Sequence, residues 1–283
     1  MSSKLLLHRS ALNNAVKRIA MEAGELILEY FDGVRDMQTT SKGDGSPVTL
    51  ADREAEELIE AKLLELLPDI PVLGEESHAN GRRVNFSEYE YFWLVDPLDG
   101  TRAFVKGEED FTVNIGLIHK SEPVLGVVYA PEKGELYSGF INNDGTPHAS
   151  RFFEESRKEK ELRTRKMPSQ GLTVLTGGDF AAIEDREKLL GHLKVATAVR
   201  RSSSIKICMV ANGKADIYPR LGPTGEWDTA AGHAILKAAG GDIRTLEGES
   251  LKYGRNTNDA MLNPHFVAAS DDVLEQYGYA PVE

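Results

Sequence analysis

Trp93-Leu94-Val95-Asp96-Pro97-Leu98-Asp99-Gly100-Thr101 reads as an apolar strand that delivers two carboxylates and a hydroxyl at its mouth. Two carboxylates this close do not both ionise cheaply without a compensating cation. Mg²⁺ characteristically takes one or two carboxylates, several waters and substrate phosphate oxygens, so the run points to metal-assisted phosphate chemistry. Pro97 ends the strand and removes one backbone donor. Gly100 lets the chain turn with its amides exposed, and Thr101 supplies a hydroxyl able to orient a water or meet a phosphate oxygen. Asp-Pro and Asp-Gly are also ordinary turn formers, so the reading depends on what accompanies the run elsewhere.

Working outward, strand patterns cover 91–95, 111–119, 124–129 and 135–140. Short turns at Ser121-Glu122-Pro123 and Pro131-Glu132-Lys133-Gly134 predict antiparallel neighbours. Upstream, Leu12, Val16, Ile19, Ala23 and Ile27 recur at helical spacing, which predicts an amphipathic helix over 10–31. A second helix is predicted over 50–67 and is ended by Pro68. The charged stretch 151–166 carries no clear apolar period and reads as a surface crossing or a solvated helix. Beyond it, strands at 172–176, 195–199, 215–219, 242–246 and 266–269 alternate with helices near 181–193, 205–212 and 229–239. The expectation is an α/β protein with an α+β domain over 1–165, holding an antiparallel sheet and most of the acids. An α/β domain over 166–283 would supply Asp228 and the far side of the site.

The chain has 283 residues, 41% apolar and 28% charged, enough for a large core. A net charge of −12, from 33 basic and 45 acidic side chains, argues against binding nucleic-acid polymers or anionic membranes by charge. A polyanionic substrate would need metal ions and a few local Lys or Arg residues. Cys208 is the single cysteine and lies in an apolar run, which suits a buried thiol in a reducing cytoplasm. The start of the chain is too short in apolar residues for a secretory signal, and no segment approaches a membrane span.

Other acids accompany Asp96 and Asp99. Leu73-Gly74-Glu75-Glu76-Ser77 puts two acids at a second strand end, where a solvated turn is the plain alternative. Trp227-Asp228-Thr229-Ala230-Ala231-Gly232-His233 sets an acid before an Ala-rich helix, where Asp serves as a cap but where phosphate also binds. Thr49-Leu50-Ala51-Asp52 fits a capping box, and a functional role for Asp52 is compatible with it. Lys42 lies on a Gly- and Ser-rich loop and reads as solvated. His233 reads as structural, and Trp93 and Trp227 as packing around the site.

Taken together, Gly74-Glu75-Glu76, Asp96-Pro97-Leu98-Asp99-Gly100-Thr101 and Trp227-Asp228-Thr229-Ala230-Ala231-Gly232 resemble, in order and spacing, the inositol monophosphatase superfamily of Mg²⁺-dependent, lithium-sensitive phosphatases. Within it the chain is most similar to the 3′(2′),5′-bisphosphate nucleotidases of the CysQ type. That similarity runs through Ser46-Pro47-Val48-Thr49, 91–101, Phe111-Thr112-Val113-Asn114-Ile115, Leu125-Gly126-Val127-Val128-Tyr129-Ala130-Pro131 and 218–233.

The resemblance implies a layered α/β/α/β/α sandwich. It also implies removal of the 3′-phosphate of adenosine 3′,5′-bisphosphate, or of its 5′-phosphosulfate analogue, by metal-activated water. It implies Glu75, Asp96 and the Leu98 carbonyl on one Mg²⁺, and Asp96, Asp99 and Asp228 on a second, with Asp52 near a third, weaker ion. Two such cations can activate water on one side and neutralise the leaving oxygen on the other. Glu75 and Thr101 would orient the water, with Asp52 beside them. Glu75, Leu98, Asp99, Gly100, Thr101 and Asp228 would meet the substrate phosphate. Ser203, Lys206 and Arg220 are the candidates for the nucleotide side. Two rivals stay open: a phosphatase of the same superfamily acting on inositol monophosphate or fructose 1,6-bisphosphate, and a noncatalytic protein binding divalent ions or phosphometabolites. The expected partner is a small nucleotide, the protein a monomer or homodimer. The expected location is the cytoplasm or, as for some relatives, the cytoplasmic face of the inner membrane.

Overall fold

The computed structural model describes residues 2–41, 47–177, 189–190, 193–255 and 261–278. In chain order, helices α1 (Ser2–Leu7) and α2 (Arg9–Phe31) precede the paired strands β1 (Thr40–Ser41) and β2 (Pro47–Val48). Helix α3 (Leu50–Leu66), strand β3 (Val72–Gly74), helix α4 (Glu75–Ala79), strand β4 (Tyr91–Asp99) and helix α5 (Thr101–Val105) follow. Strands β5 (Thr112–His119), β6 (Glu122–Ala130), β7 (Glu135–Ile141), β8 (Pro147–Phe153) and β9 (Lys158–Glu161) come next. The rest of the chain carries β10 (Leu172–Thr176), β11 (Val195–Arg200), α6 (Ile205–Ala211), β12 (Ile217–Arg220), α7 (Glu226–Ala238), β13 (Gly241–Thr245), β14 (Phe266–Ser270) and α8 (Asp271–Tyr277).

A seven-stranded sheet runs β3-β4-β5-β6-β7-β8-β9, with β3 parallel to β4 and the other neighbours antiparallel. A five-stranded sheet runs β11-β10-β12-β14-β13, parallel on its β11-β10-β12 side and antiparallel beyond. The stripe Leu12, Val16, Ile19, Ala23 and Ile27 of α2, with Ala55, Ile59 and Leu63 of α3, covers one face of the large sheet against Val113, Ile115, Leu117, Leu125 and Val127. Helices α6 and α7 fill the space between the sheets, sharing one core with Leu94, Ile118, Val128, Ile243 and Phe266. On the far side α8 buries Val273, Leu274 and Tyr277 against Leu172, Val174, Ile217 and Val267. The layers are α/β/α/β/α.

A row of small residues fixes α7. Gly116, Gly126 and Gly139 lie opposite one another on β5, β6 and β7, and a side chain at any of them would collide with Ala230, Ala231 or Ile235. The helix therefore rests in a trough in the sheet, which sets where its first turn arrives.

Four expectations need correction. The stretch 151–166 contains the end of β8 and all of β9. Strand β9 is a solvated edge whose four side chains are all exposed, so it has no apolar period, and backbone pairing to β8 defines it. Glu122 and Pro123 belong to β6; the reversal is made by Lys120 and Ser121, both in the left-handed region at φ 49° and 72°. Strand β4 does not stop before Pro97 but continues to Asp99 through a register irregularity between Asp96 and Asp99, where a missing N–H is tolerated. The α7 helix starts at Glu226, which makes Asp228 its third residue rather than its cap. The predicted helix near 181–193 lies almost wholly outside the described residues. Cys208 is fully buried, and no described helix is long and apolar enough to cross a membrane.

Candidate active site

Three chain segments end at one place. Strand β3 stops at Gly74, so Glu75 opens α4 beside the mouth of β4. Asp96 lies at the irregularity of β4, almost fully buried, with its Oδ1 accepting from the Leu98 amide at 3.0 Å. Asp228 arrives on the first turn of α7, its Oδ2 accepting from the Gly225 amide at 2.9 Å. Carboxylate oxygens of Glu75, Asp96 and Asp228 lie within 4.8 Å of one another.

The electrostatics of this corner favour a cation. Burial, then Asp99 and Glu75, push the Asp228 carboxyl well above the usual carboxylate range. Burial also raises Asp99, partly offset by Lys206 and the Ser204 amide. An all-oxygen donor set with this excess of negative charge fits a hard divalent ion such as Mg²⁺ or Mn²⁺.

Asp99 stands beside the trio and ties it to the next turn of chain. Its Oδ2 accepts from the Ser204 amide at 2.5 Å. The Ser202-Ser203-Ser204 turn is tied down elsewhere too. The Ser204 hydroxyl donates to Asn114 Oδ1 at 2.7 Å and lies 2.9 Å from Thr112 Oγ1, while the Ser202 amide donates to Asp110 at 3.3 Å. Ser203 is left-handed at φ 52° and packs close to Gly100, itself at φ 95°. A side chain at Gly100 would press on the Asp110 carbonyl, so the turn needs glycine there.

Between the acids and this turn lies a cavity of about 190 Å³ whose walls include Asp99, Asp228, Ser203, Lys206, Tyr218 and Arg220. Lys206 is buried, its Nζ donating to the Ser203 carbonyl at 2.6 Å and lying 5.1 Å from the centre of the Tyr218 ring. Burial pushes its pKa down to about 8 against the opposing pull of Asp99. The Arg220 guanidinium donates to the Pro223 carbonyl at 3.0 Å. Arg201 also reaches the cavity, 4.0 Å from Asp110. The cavity wall therefore carries two carboxylates and three cations.

Asp52 makes a capping contact and a second contact with Thr101. Its Oδ2 accepts from the Thr49 amide and hydroxyl, each at 2.7 Å, which completes the capping box of α3. Its Oδ1 lies 3.1 Å from the Thr101 hydroxyl, which is also 3.0 Å from the Leu98 carbonyl. One hydroxyl proton serves one of these acceptors at a time.

Several contributors escape a reading of the sequence. Glu56, one turn after Asp52, is buried and accepts from the amides of Glu76 and Ser77 at 2.8 and 2.7 Å. A charged residue between the buried positions Ala55 and Ile59 is the signal that would have found it. His78 packs on Trp227 at 5.0 Å between ring centres, joining α4 to α7 one turn behind Glu75. Trp93 is a core residue, and Lys42 lies outside the described residues. His233 is enclosed by Tyr253 and Asp242, 2.9 and 2.7 Å from its ring nitrogens, far from any reacting role.

The sequence pattern described as the inositol monophosphatase family matches residues 8–280. The chain belongs to that family. Its members depend on divalent metal ions, in keeping with the acidic corner. Among its relatives is the 3′(2′),5′-bisphosphate nucleotidase CysQ of Escherichia coli K12, 39% identical over 251 residues that span 89% of this chain and 96% of the relative. CysQ from Bacteroides thetaiotaomicron superposes with a TM-score of 0.72 at 33% identity, covering 92% of this chain and 97% of that one. The inositol monophosphatase of Anabaena (Nostoc) sp. PCC 7120, at 22% identity and a TM-score of 0.70 over 95% and 94% of the two chains, shares the family fold.

Proposed function

We propose that this chain is a 3′(2′),5′-bisphosphate nucleotidase that hydrolyses the 3′-phosphate of adenosine 3′,5′-bisphosphate, giving the 5′-monophosphate and inorganic phosphate. The observation that carries the reading is a single cavity whose wall carries both the carboxylates Asp99 and Asp228 and the cations Lys206, Arg201 and Arg220. A substrate with two phosphates needs two sites of opposite construction: a cation-bearing one where the bond breaks and a directly basic one for the phosphate that stays. The extent of identity to the CysQ nucleotidases supports the same choice.

Glu75, Asp96, the Leu98 carbonyl, Asp99 and Asp228 would hold two Mg²⁺ ions, with a weaker third near Asp52. Bound there, the metal supplies charge neutralisation at the phosphoryl oxygens and a lowered pKa for water. When the Thr101 hydroxyl donates to Asp52, its lone pairs are left as acceptors, so Thr101 takes a hydrogen bond from the attacking water and Asp52 draws the proton away. Glu75 holds the same water from α4. The amides at Gly100 and Thr101 cradle the phosphate, and Ser203, Lys206 and Arg220 bind the second phosphate. We assign residues 1–165 to the domain carrying most of the acids and 166–283 to the domain carrying Asp228 and the nucleotide side. The cytoplasm suits a chain whose single cysteine is a buried thiol.

The test is Mg²⁺-dependent phosphate release from adenosine 3′,5′-bisphosphate, inositol 1-phosphate and fructose 1,6-bisphosphate, compared as kcat/KM. The expected result is a preference for the nucleotide of about a hundredfold, the order given by two extra charge-assisted hydrogen bonds. A preference for a sugar phosphate overturns the nucleotide assignment and keeps the acidic corner. Metal binding without phosphate release from any of them returns the noncatalytic reading.

A further inference from the structure

Helix α4 begins at Glu75, and the residue before it, Gly74, has no side chain to receive the first helical amides. Those amides are received by a carboxylate from another helix. Glu56 of α3 accepts from Glu76 N through Oε2 and from Ser77 N through Oε1, and it is only 5% exposed. Gly74 makes this possible, because a Cβ there would overlap the carboxyl carbon and both oxygens of Glu56.

A buried carboxylate is a costly cap for a helix of five residues, since a Ser or Asp at the preceding position does the same from the surface. It also adds negative charge next to a corner already crowded with it. What the arrangement provides is aim. Asp52 and Glu56 lie one turn apart on α3, the first meeting Thr101 and the second meeting the start of α4. One rigid helix thus references both Thr101 and Glu75.

We propose that Glu56 is a positioning residue for Glu75: by gripping the first amides of α4 in the space left by Gly74, it sets the direction from which Glu75 joins Asp96 and Asp228. The inference rests on the metal-binding reading of that corner.

The test is Mn²⁺ binding to metal-free protein, followed by the electron paramagnetic resonance signal of free Mn²⁺, with a thermal melt of each variant. Glu56→Ala and Gly74→Ala are each expected to weaken binding about 10- to 100-fold, the usual cost of losing a group that orients a metal ligand. The double variant should bind no more weakly than Glu56→Ala, because removing the carboxylate opens the room that the new Cβ needs. Binding within twofold of the parent in both single variants overturns the proposal, as does a double-variant loss equal to the product of the two. Should Glu56→Ala not fold, Glu56→Gln keeps the shape and one acceptor, and the same twofold limit decides. A parent protein that binds no Mn²⁺ overturns the metal reading itself and is thereby told apart from failure of the Glu56 assignment.

Discussion

Asp52 and Asp228 hold the same place in two helices. Each is the third residue of its helix, and each returns a carboxylate oxygen to the amide just before the helix, Thr49 at 2.7 Å and Gly225 at 2.9 Å. Around Asp52 the neighbours are donors: a second bond from Thr49 and one from Thr101. Around Asp228 they are acids, and burial with Asp99 and Glu75 holds its proton on far above the ordinary range. The local motif decides where a carboxylate goes, and the residues that meet it from other elements decide whether its charge is satisfied or calls for a cation.

Replacing both acids by their amides gives the sharpest test of that contrast. Asp228→Asn keeps an acceptor for Gly225 and is neutral, like the protonated carboxyl that burial, Asp99 and Glu75 favour. Turnover should fall by about 10³-fold or more, roughly 4 kcal/mol of transition-state stabilisation, while the metal-free protein melts no lower than the parent. Asp99→Asn should behave likewise, with turnover nearly abolished and the fold intact. Asp52→Asn should lose about 10²-fold in turnover, the usual worth of a proton acceptor, and about 1 kcal/mol of stability with its cap. Phosphate release at saturating Mg²⁺ and melts in chelator measure the two columns. A melt that drops for Asp228→Asn and holds for Asp52→Asn breaks the comparison.

The second test moves to the cations of the cavity. Lys206 shares a wall with Asp99 and Asp228 and has no carboxylate in a close ion pair among the described residues, its Nζ being held by the Ser203 carbonyl. Lys206→Ala should raise KM for the bisphosphate by about 10- to 100-fold, the range for a hydrogen bond to a charged group, and change KM for a 3′-monophosphate by less than about threefold. Equal changes for both substrates would move the second phosphate away from Lys206.

What could be read from the sequence follows the same division between local and distant causes. The capping box at Asp52, the apolar stripe of α2 and the strands at 172–176 and 135–140 are short-range patterns, and the structure has them within a residue or two. The acids of the corner were legible as a set because three motifs stand in a familiar order. Their placement in space was not. Where Asp228 arrives depends on the trough made by Gly116, Gly126 and Gly139, which spans three strands, and the bond of Asp99 to the Ser204 amide joins residues 105 apart. Glu56 and Asp110 act on backbone amides 20 and 92 residues away, and no spacing rule links such partners.

A third carboxylate extends the comparison, with the smallest expected effect. Asp242 is paired with His233 of α7, 2.7 Å from Nε2, and also accepts from Ser250 at 3.0 Å. Burial alone would raise its pKa, but the His233 bond and Lys237 outweigh it and hold the carboxyl at about 2. His233 is depressed below the usual histidine value because burial disfavours its charged form more than Asp242 favours it. Both groups therefore bind protons less readily folded than unfolded, and stability must fall as pH falls. For His233 the contribution is full above the unfolded value of about 6.5 and is lost below it, at no more than about 1.4 kcal/mol per pH unit. For Asp242 the loss comes lower, from about 3.9 down towards its folded value. Denaturant melts between pH 7 and 5 should show the first limb in the parent and a flatter one in His233→Gln, with phosphate release at pH 7.5 retained in the variant. An unchanged slope would mean that His233 charges as readily as a solvated imidazole, with Asp242 fully offsetting its burial.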